Sequence, residues 1–508
     1  MYKVEESKDH GKVLLATTKL DPGPFGLLVF REEALLAMPT RGSSADKSGP
    51  VPSILAEYPQ TWTDWWTYTQ QPDEVKQKVL QMYTEMDCLC ANVLRDYLIN
   101  MNRTQEEKDA EDGNSAILDH IEEFVTFAMV LRFNSVELCP PARDGNGPGK
   151  DYGHGLFEKA CKMSHSCKPN CVWLTTQDGR AKEIRAISTI EEGEELTIDY
   201  VGEVLEPIPH RRQELLITKG FLCECSRCAG KHGDDTRRFN CINYGGKNCS
   251  GVHFLHQPFL ESEPVLLSCT KCGAKPPLSY TQSVLHQESK VLDEIREVEN
   301  SADKYGIVEV SERVERLAPP HDLHCLADRC YELQAEMYSK VGDHRSAAKA
   351  YAKQINCRVA ILGRNYHSQS TAFCIEKLGD ELAHINVKEA EEAYKRSFRV
   401  LQMMRGGHED PYTKCSLLKL MNIQNRRAHC ESEVLPHQSG LEGIAEHPDG
   451  APHSEYPCTL CGNPSRKAIT CSRNLHYCCN EHMAIHLHRV HNESLSEEMK
   501  ISLEDLVD

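Results

Sequence analysis

The pattern of apolar and polar positions changes twice along the chain. Over residues 11–38, GKVLLATTKLDPGPFGLLVFREEALLAM, two short apolar stretches flank a Pro/Gly turn, which predicts two strands. From 52 to 132 the spacing becomes helical, most clearly in EVKQKVLQMYTEMDCLCANVLRDYL and AILDHIEEFVTFAMVLRF. The polar stretch between them, NRTQEEKDAEDGNS, and PPARDGNGPGKDYG at 140–153 predict loops. Residues 154–230 return to short strand-like pieces, EIRAIST and GEELTIDY. From about 280 to 430 the chain is helical and repeats itself. SAAKAY at 346–351 recurs as EAEEAY at 389–394, so that Ala347, Ala350 and Tyr351 match Ala390, Ala393 and Tyr394 at a period of 43. Small residues and an aromatic at helical spacing predict stacked helical hairpins with longer helices than the usual tetratricopeptide unit. Residues 435–456 are rich in Pro, His and Gly and predict a linker.

Composition bounds this picture. A chain of 508 residues is too long for one core and suggests about three domains. It is 40% hydrophobic and 26% charged, ordinary for a globular protein. No run of about 18 apolar residues predicts a transmembrane helix, and the N-terminus lacks the apolar stretch of a secretory signal. The expectation is an unsecreted protein of the cytoplasm, the nucleus or both. A net charge of −18 argues against phosphate gripping as the main task and suits a basic protein partner. Without a signal, the 24 cysteines in Cys-x-Cys and Cys-x-x-Cys spacing point to zinc in a reducing compartment.

Three cysteine constellations carry this chemistry. FLCECSRC offers Cys223, Cys225 and Cys228 to one ion, and a tetrahedral site needs a fourth ligand. The nonapeptide MSHSCKPNC at 163–171 offers Cys167 or Cys171. Cys241, Cys249, Cys269 and Cys272 form a second set, with CSG and CTKCG as knuckle-like turns that aim N–H groups at sulfur. A third group of cysteines and histidines fills 458–491. No His-Glu-x-x-His occurs and the cysteine sets look closed, so the zinc is structural rather than hydrolytic.

The order Ser-His-Ser-Cys-Lys-Pro-Asn, then Gly-Glu-Glu-Leu-Thr-Ile-Asp-Tyr, then Cys-x-Cys-x-x-Cys resembles the signature of SET-domain protein lysine methyltransferases. FNSVEL, GLFEKACKMSHSCKPNC and RRQELLITKGFLCECSRC are similar to segments of the SET-and-MYND-domain (SMYD) group. The resemblance covers roughly 11–38 and 118–425 and implies an α+β fold. It comprises a SET domain over 1–230 with a knot-like motif, split by a helical insertion at about 40–117, with a post-SET cysteine cluster at 221–230. A four-cysteine zinc segment at 231–280, TPR-like helices at 281–430 and a linker at 431–456 would follow. In such a fold His165 presents its backbone to the adenine of S-adenosyl-L-methionine, Pro169 and Asn170 fix the turn, and Cys167 joins Cys223, Cys225 and Cys228. Tyr200 is then the catalytic tyrosine, Asn134 contacts the cofactor or lines the lysine channel, and Phe221 closes over the cofactor. The sequence departs from the family pattern at Ser164, where asparagine is usual, and at Gly11-Lys12-Val13, which lacks the second glycine of the cofactor loop.

The last constellation resembles a MYND-type finger at 457–492, followed by a charged tail at 493–508. The split between 40 and 117 holds no such finger, and Cys88 and Cys90 there read as helix residues. One zinc of the terminal finger would take Cys458, Cys461, Cys478 and His482. A second would take Cys471, His476 and two of His486, His488 and His491, with Asn474 standing where a ligand is expected; His488 and His491 are the preferred pair. With the two four-cysteine sets this makes three or four Zn2+ ions. A MYND finger implies a proline-containing peptide partner. The implied activity is transfer of a methyl group to a lysine ε-amine of a histone or another protein. The alternative is a SET-derived scaffold with impaired catalysis. No membrane or strong nucleic-acid partner is indicated.

Overall fold

The computed structural model describes residues 1–7, 11–23, 26–38, 59–84, 86–105, 120–139, 153–202, 205–229, 233–243, 249–301, 306–317, 324–363, 367–407, 410–433, 469–470 and 476–477. The chain divides into a unit Met1–Ser416 and a unit Leu417–Asp508.

The first unit begins with an antiparallel hairpin of β1 (Tyr2–Ser7) and β2 (Gly11–Ala16). β1 was not expected; its residues are mostly exposed, so no apolar period marks it. β3 (Leu27–Glu33) and β4 (Leu36–Met38) follow, making three strands over 11–38 where two were expected. Helices α1 (Pro59–Thr69), α2 (Asp73–Leu80), α3 (Leu89–Gln105) and α4 (Ile121–Asn134) carry the helical period. Their apolar faces, including Trp65, Tyr68, Phe124 and Phe127, form one core that reaches Leu36 and Leu156. Cys90 lies inside α3. Cys88 precedes its first residue, and the Ala91 N–H donates to its thiol at 3.4 Å.

Three small sheets frame the next segment. β5 (Val136–Glu137) and β4 flank β6 (His154–Leu156). β8 (Cys171–Thr175) and β3 flank β9 (Ala181–Ala186), all antiparallel. β7 (Ser164–His165) and β10 (Thr197–Ile198) pair in parallel, Ser164 opposite Thr197 and His165 opposite Ile198. The expected strand ending in Tyr200 therefore stops at Ile198, because its partner is equally short. Leu14, Val29, Phe30, Phe157, Met163, Ile184, Leu196 and Ile198 make the core beneath these strands.

α5 (Ile208–Lys219) starts behind Pro207 with Pro209 in its first turn, where a missing N–H costs nothing. It ends on Gly220 at φ +77, a left-handed cap that turns the chain into the cysteine stretch. β11 (Asp234–Asn240), β12 (Val252–His256) and β13 (Val265–Leu266) form an antiparallel sheet around the second cysteine set.

Helices α6 (Leu278–Asn300), α7 (Ile307–Leu317), α8 (Cys325–Lys340), α9 (His344–Leu362), α10 (Gln369–Leu382), α11 (Val387–Arg405) and α12 (Pro411–Glu433) complete the helical region. The 43-residue repeat maps α9 onto α11, and the N-caps Asp343 and Asn386 share the offset. Ala347, Ala350 and Tyr351 are buried like Ala390, Ala393 and Tyr394. Small residues bring neighbouring helices close, and Gly379 of α10 does so at an extreme, since a Cβ there would lie 2.8 Å from the Tyr394 ring. The end of α11 packs on the β8–β9 face through Met403, Met404, Ile187 and Val172. Gly26 (φ +67) meets the same helix end, where a Cβ would lie 1.9 Å from the Met403 carbonyl oxygen.

The second unit holds the end of α12 and an antiparallel pair, Ile469–Thr470 with His476–Tyr477. Cys458, Cys461, Cys471, Cys478, His482, His486, His488, His491, the linker and the tail lie outside the described residues. Among the described residues, no helix is long and apolar enough to cross a membrane.

Candidate functional site

The segment 163–171 and the segment 194–200 are fastened to each other by one buried side chain. The Asn170 amide donates to the Glu195 carbonyl at 2.8 Å and to the Glu194 carboxylate at 3.1 Å. Its oxygen accepts from the Thr197 N–H at 2.8 Å and the Thr197 hydroxyl at 3.2 Å. The Ser166 N–H donates to the Ile198 carbonyl at 3.0 Å. Every hydrogen-bonding direction of the Asn170 amide is used, which is what a buried amide requires.

This clasp fixes a cluster of aromatic rings. The Tyr200 main-chain N–H donates to His165 Nδ1 at 3.1 Å, and the Tyr200 hydroxyl donates to the Met163 carbonyl. The Phe221 ring stands edge-on to Tyr200 at 6.3 Å and tilted to His165 at 6.2 Å. Trp173 stacks on Tyr200 at 6.2 Å, and Lys219 Nζ lies 5.8 Å from the Tyr200 ring centre. Lys219 also donates to the Phe133 carbonyl at 3.3 Å. Burial, then the charges of Cys161 and Glu195, lifts the Tyr200 pKa well above the usual phenol range. Burial, then the neighbouring Arg132, lowers that of Lys219.

The other predicted cofactor residues divide into two groups. Ser164 pairs in the same ladder, and its hydroxyl is taken by the Glu195 carboxylate. Gly11, Lys12 and Val13 lie in β2, which packs against the turn Ala160–Lys162 just before Ser164. Asn134, at the end of α4, is buried, and its amide donates to the carbonyls of Tyr83 at 2.8 Å and Val130 at 2.9 Å.

Cys167, Cys223, Cys225 and Cys228 bring their sulfurs within 4.8 Å of one another. Cys167 Sγ is 3.9 Å from Cys223 Sγ and 3.5 Å from Cys228 Sγ. Sulfurs at the corners of a zinc tetrahedron stand about 3.8 Å apart. Cys171 is buried in the core under β8, outside this set. Three arginines surround the cluster. Arg212 donates to the carbonyls of Cys223 at 2.9 Å and Cys228 at 3.1 Å, and Arg227 to that of Cys167 at 3.0 Å. Arg211 is 1% exposed, and its guanidinium has no hydrogen-bond partner among the described residues. It lies within electrostatic reach of Cys167 and Cys228. A buried cation without a partner is costly. An ion held by four thiolates would carry net negative charge, which the Arg211 guanidinium would balance. The donor set fits zinc.

The second set fits it as well. Cys241, Cys249, Cys269 and Cys272 are within 4.8 Å of one another, with Cys241–Cys272 at 3.5 Å and Cys249–Cys269 at 3.7 Å. Main-chain N–H groups of Asn243, Gly251 and Lys271 donate to the sulfurs of Cys241, Cys249 and Cys269 at 3.3, 3.4 and 3.4 Å. Such donors stabilise thiolate over thiol. Gly251 is required there, because a Cβ would fall 2.5 Å from Cys269 Sγ.

Sequence reasoning did not single out Met163, Trp173, Lys219, Glu195 or Arg211. Lys219 and Arg211 sit in a motif-bearing stretch, but the contact of Lys219 with Tyr200 arises only from the fold. A cleft of about 390 Å³ lies beside the clasp, lined by Lys168, Asn170, Glu194, Glu195, Ser226 and, from the helical region, His367.

Residues 31–201 match the SET domain family. The chain is 35% identical over 111 residues to the histone-lysine N-methyltransferase SMYD3 of Mus musculus, covering 22% of this chain and 24% of that protein. It is 35% identical over 139 residues to the N-lysine methyltransferase SMYD2 of Gallus gallus, covering 27% and 31%. A SET and MYND domain-containing protein of Dictyostelium discoideum is 30% identical over 133 residues, covering 24% and 34%. The matched stretches thus span about a quarter to a third of these relatives' length. Residues 31–201 match a SET domain, and over about a quarter of its length the chain is similar to lysine methyltransferases of the SET-and-MYND group.

Proposed function

We propose that this protein is an S-adenosyl-L-methionine-dependent protein-lysine N-methyltransferase. The observation that carries the reading is Tyr200. Its hydroxyl is anchored on the Met163 carbonyl, its main chain on His165, and its ring packs with Trp173, Lys219 and Phe221. The cofactor supplies an electrophilic methyl group to the lysine amine. The main chain of Ser164 and His165, the strand Gly11–Val13 and the Phe221 ring would hold it, with Asn134 behind them.

Tyr200 would orient the acceptor. Because burial keeps its phenol neutral at physiological pH, it acts as a hydrogen-bonding group and not as a base. The Met163 carbonyl adds a second polar point at the same place, and the surrounding rings exclude water from the amine. Zinc in the Cys167 set would stiffen the wall carrying Phe221, and zinc in the Cys241 set would brace the segment that leads into the helices. The cleft with His367 is where the flanks of a basic protein substrate would lie, against Glu194 and Glu195.

On this reading, 1–230 is a SET domain split by the helices of about 40–117, 231–280 a zinc segment, and 281–430 a TPR-like repeat region. Beyond the linker at 431–456, the segment 457–492 is a MYND-like finger for a proline-containing peptide. The whole protein works in the cytoplasm or nucleus. One observation favours the scaffold alternative: the Ser164 hydroxyl and the Asn134 amide are already spent within the protein. Calorimetric titration of the zinc-loaded chain with S-adenosyl-L-methionine separates the two readings. Saturable binding supports the enzyme, and no heat at millimolar cofactor supports the scaffold.

A further inference from the structure

His165 is used at both ends of its ring. Its side chain is fully buried. Nδ1 receives the Tyr200 main-chain N–H at 3.1 Å, and Nε2 lies 3.2 Å from Cys167 Sγ. Asp199 Oδ1, 3.8 Å from the same Nδ1, accepts from the Val201 N–H at 3.0 Å. An amide N–H can only donate, so Nδ1 is an acceptor. In the neutral imidazole the proton then sits on Nε2, and Nε2–H donates to the Cys167 sulfur. Cys167 in turn belongs to the four-cysteine cluster.

We infer that His165 is a positioning residue whose imidazole couples the metal bound at Cys167 to the main chain of Tyr200. The inference rests on the methyltransferase reading only for the role given to Tyr200. An N–H donor behind a metal ligand fixes both partners' geometry. With metal bound, the Cys167 sulfur is held in one place. It orients the ring, and the ring holds the amide that sets where the Tyr200 side chain begins. Without metal, the sulfur has no fixed position, and this end of the ring loses a rigid partner. Metal at Cys167 would therefore tighten an acceptor site that the Asn170 clasp already holds together. The coupling path is three groups long: sulfur, imidazole, amide.

The test uses the full chain with 15N-labelled tyrosine, comparing zinc-loaded and cadmium-loaded protein by NMR. The Tyr200 amide is assigned by its loss in Tyr200→Phe. Cadmium is larger than zinc and moves the sulfurs outward, so the Tyr200 amide resonance should shift when the metal is exchanged. In His165→Phe, which keeps a ring in the aromatic cluster but has no N–H, that shift should vanish while the metal content stays the same. In the cobalt-loaded protein, the same substitution should move the sulfur-to-cobalt charge-transfer band to longer wavelength. An unmoved Tyr200 amide in the metal-exchanged wild-type chain overturns the inference. So does a shift that persists in His165→Phe. Neither readout requires catalysis: a chain that shows the coupling but transfers no methyl group defeats the enzymatic reading and leaves the coupling standing.

Discussion

Lys219 Nζ lies 5.8 Å from the centre of the Tyr200 ring, held there by the Phe133 carbonyl. A cation facing the group that would orient the acceptor amine has a definite electrical effect. It disfavours a second ammonium at that place and so favours the neutral amine that methyl transfer needs. In Lys219→Met, the rising limb of the pH–rate profile should move about one unit to higher pH. At neutral pH the rate should fall roughly tenfold and recover in alkaline buffer. An unchanged profile would show that Lys219 only packs.

The Asn170 clasp should be a stability determinant. Asn170→Ala removes its hydrogen bonds to Glu194, Glu195 and Thr197 and leaves buried main-chain groups unpaired. The expected cost is about 2–4 kcal/mol. Hydrogen–deuterium exchange should speed up at 164–171 and 194–200 first, with the helices after 278 unaffected. Uniform acceleration along the chain would contradict a local clasp.

The two cysteine sets should separate by function. Cys223→Ser and Cys269→Ser should each lower the zinc content by one ion, measured by mass spectrometry. Only Cys223→Ser should abolish cofactor binding, because only its cluster adjoins His165 and Phe221. Equal losses of cofactor affinity in both variants would contradict this assignment.

The helical region carries its own acid lability. Glu288 is opposed by burial, but the approach of His324 Nε2 at 3.2 Å and the hydrogen bond from Arg237 at 2.7 Å outweigh that and hold its pKa down to about 2. A depressed carboxylate stabilises the fold above its ordinary pKa near 4.5, and the contribution is lost as pH falls toward 2. Glu288→Gln should therefore lower the melting temperature at pH 7 and lose most of its effect at about pH 2. An equal deficit at both pH values would assign the loss to packing instead.

What the sequence carries and what it conceals follow from the range of the interactions. The repeat was legible because Ala347, Ala350 and Tyr351 meet a neighbouring helix as Ala390, Ala393 and Tyr394 do, and local spacing records that demand. The cysteine quartets were legible because thiolate chemistry demands four ligands and most of them lie close in sequence. The parallel pair Ser164–His165 with Thr197–Ile198 was not, since strands this short have no period. Nor were the joining of Lys219 to Tyr200 or the burial of the Arg211 guanidinium without a partner among the described residues. Both depend on how α5 enters and leaves the site.

Transfer of a labelled methyl group from S-adenosyl-L-methionine to protein lysines, by the zinc-loaded wild-type chain and by Tyr200→Phe, tests the central claim most directly. With histones and cell lysate as acceptors, the wild type should label lysine, and Tyr200→Phe should lose roughly a hundredfold or more of that rate while keeping its cofactor affinity. Equal labelling by the two proteins, or no labelling by the wild type with cofactor bound, would contradict the account.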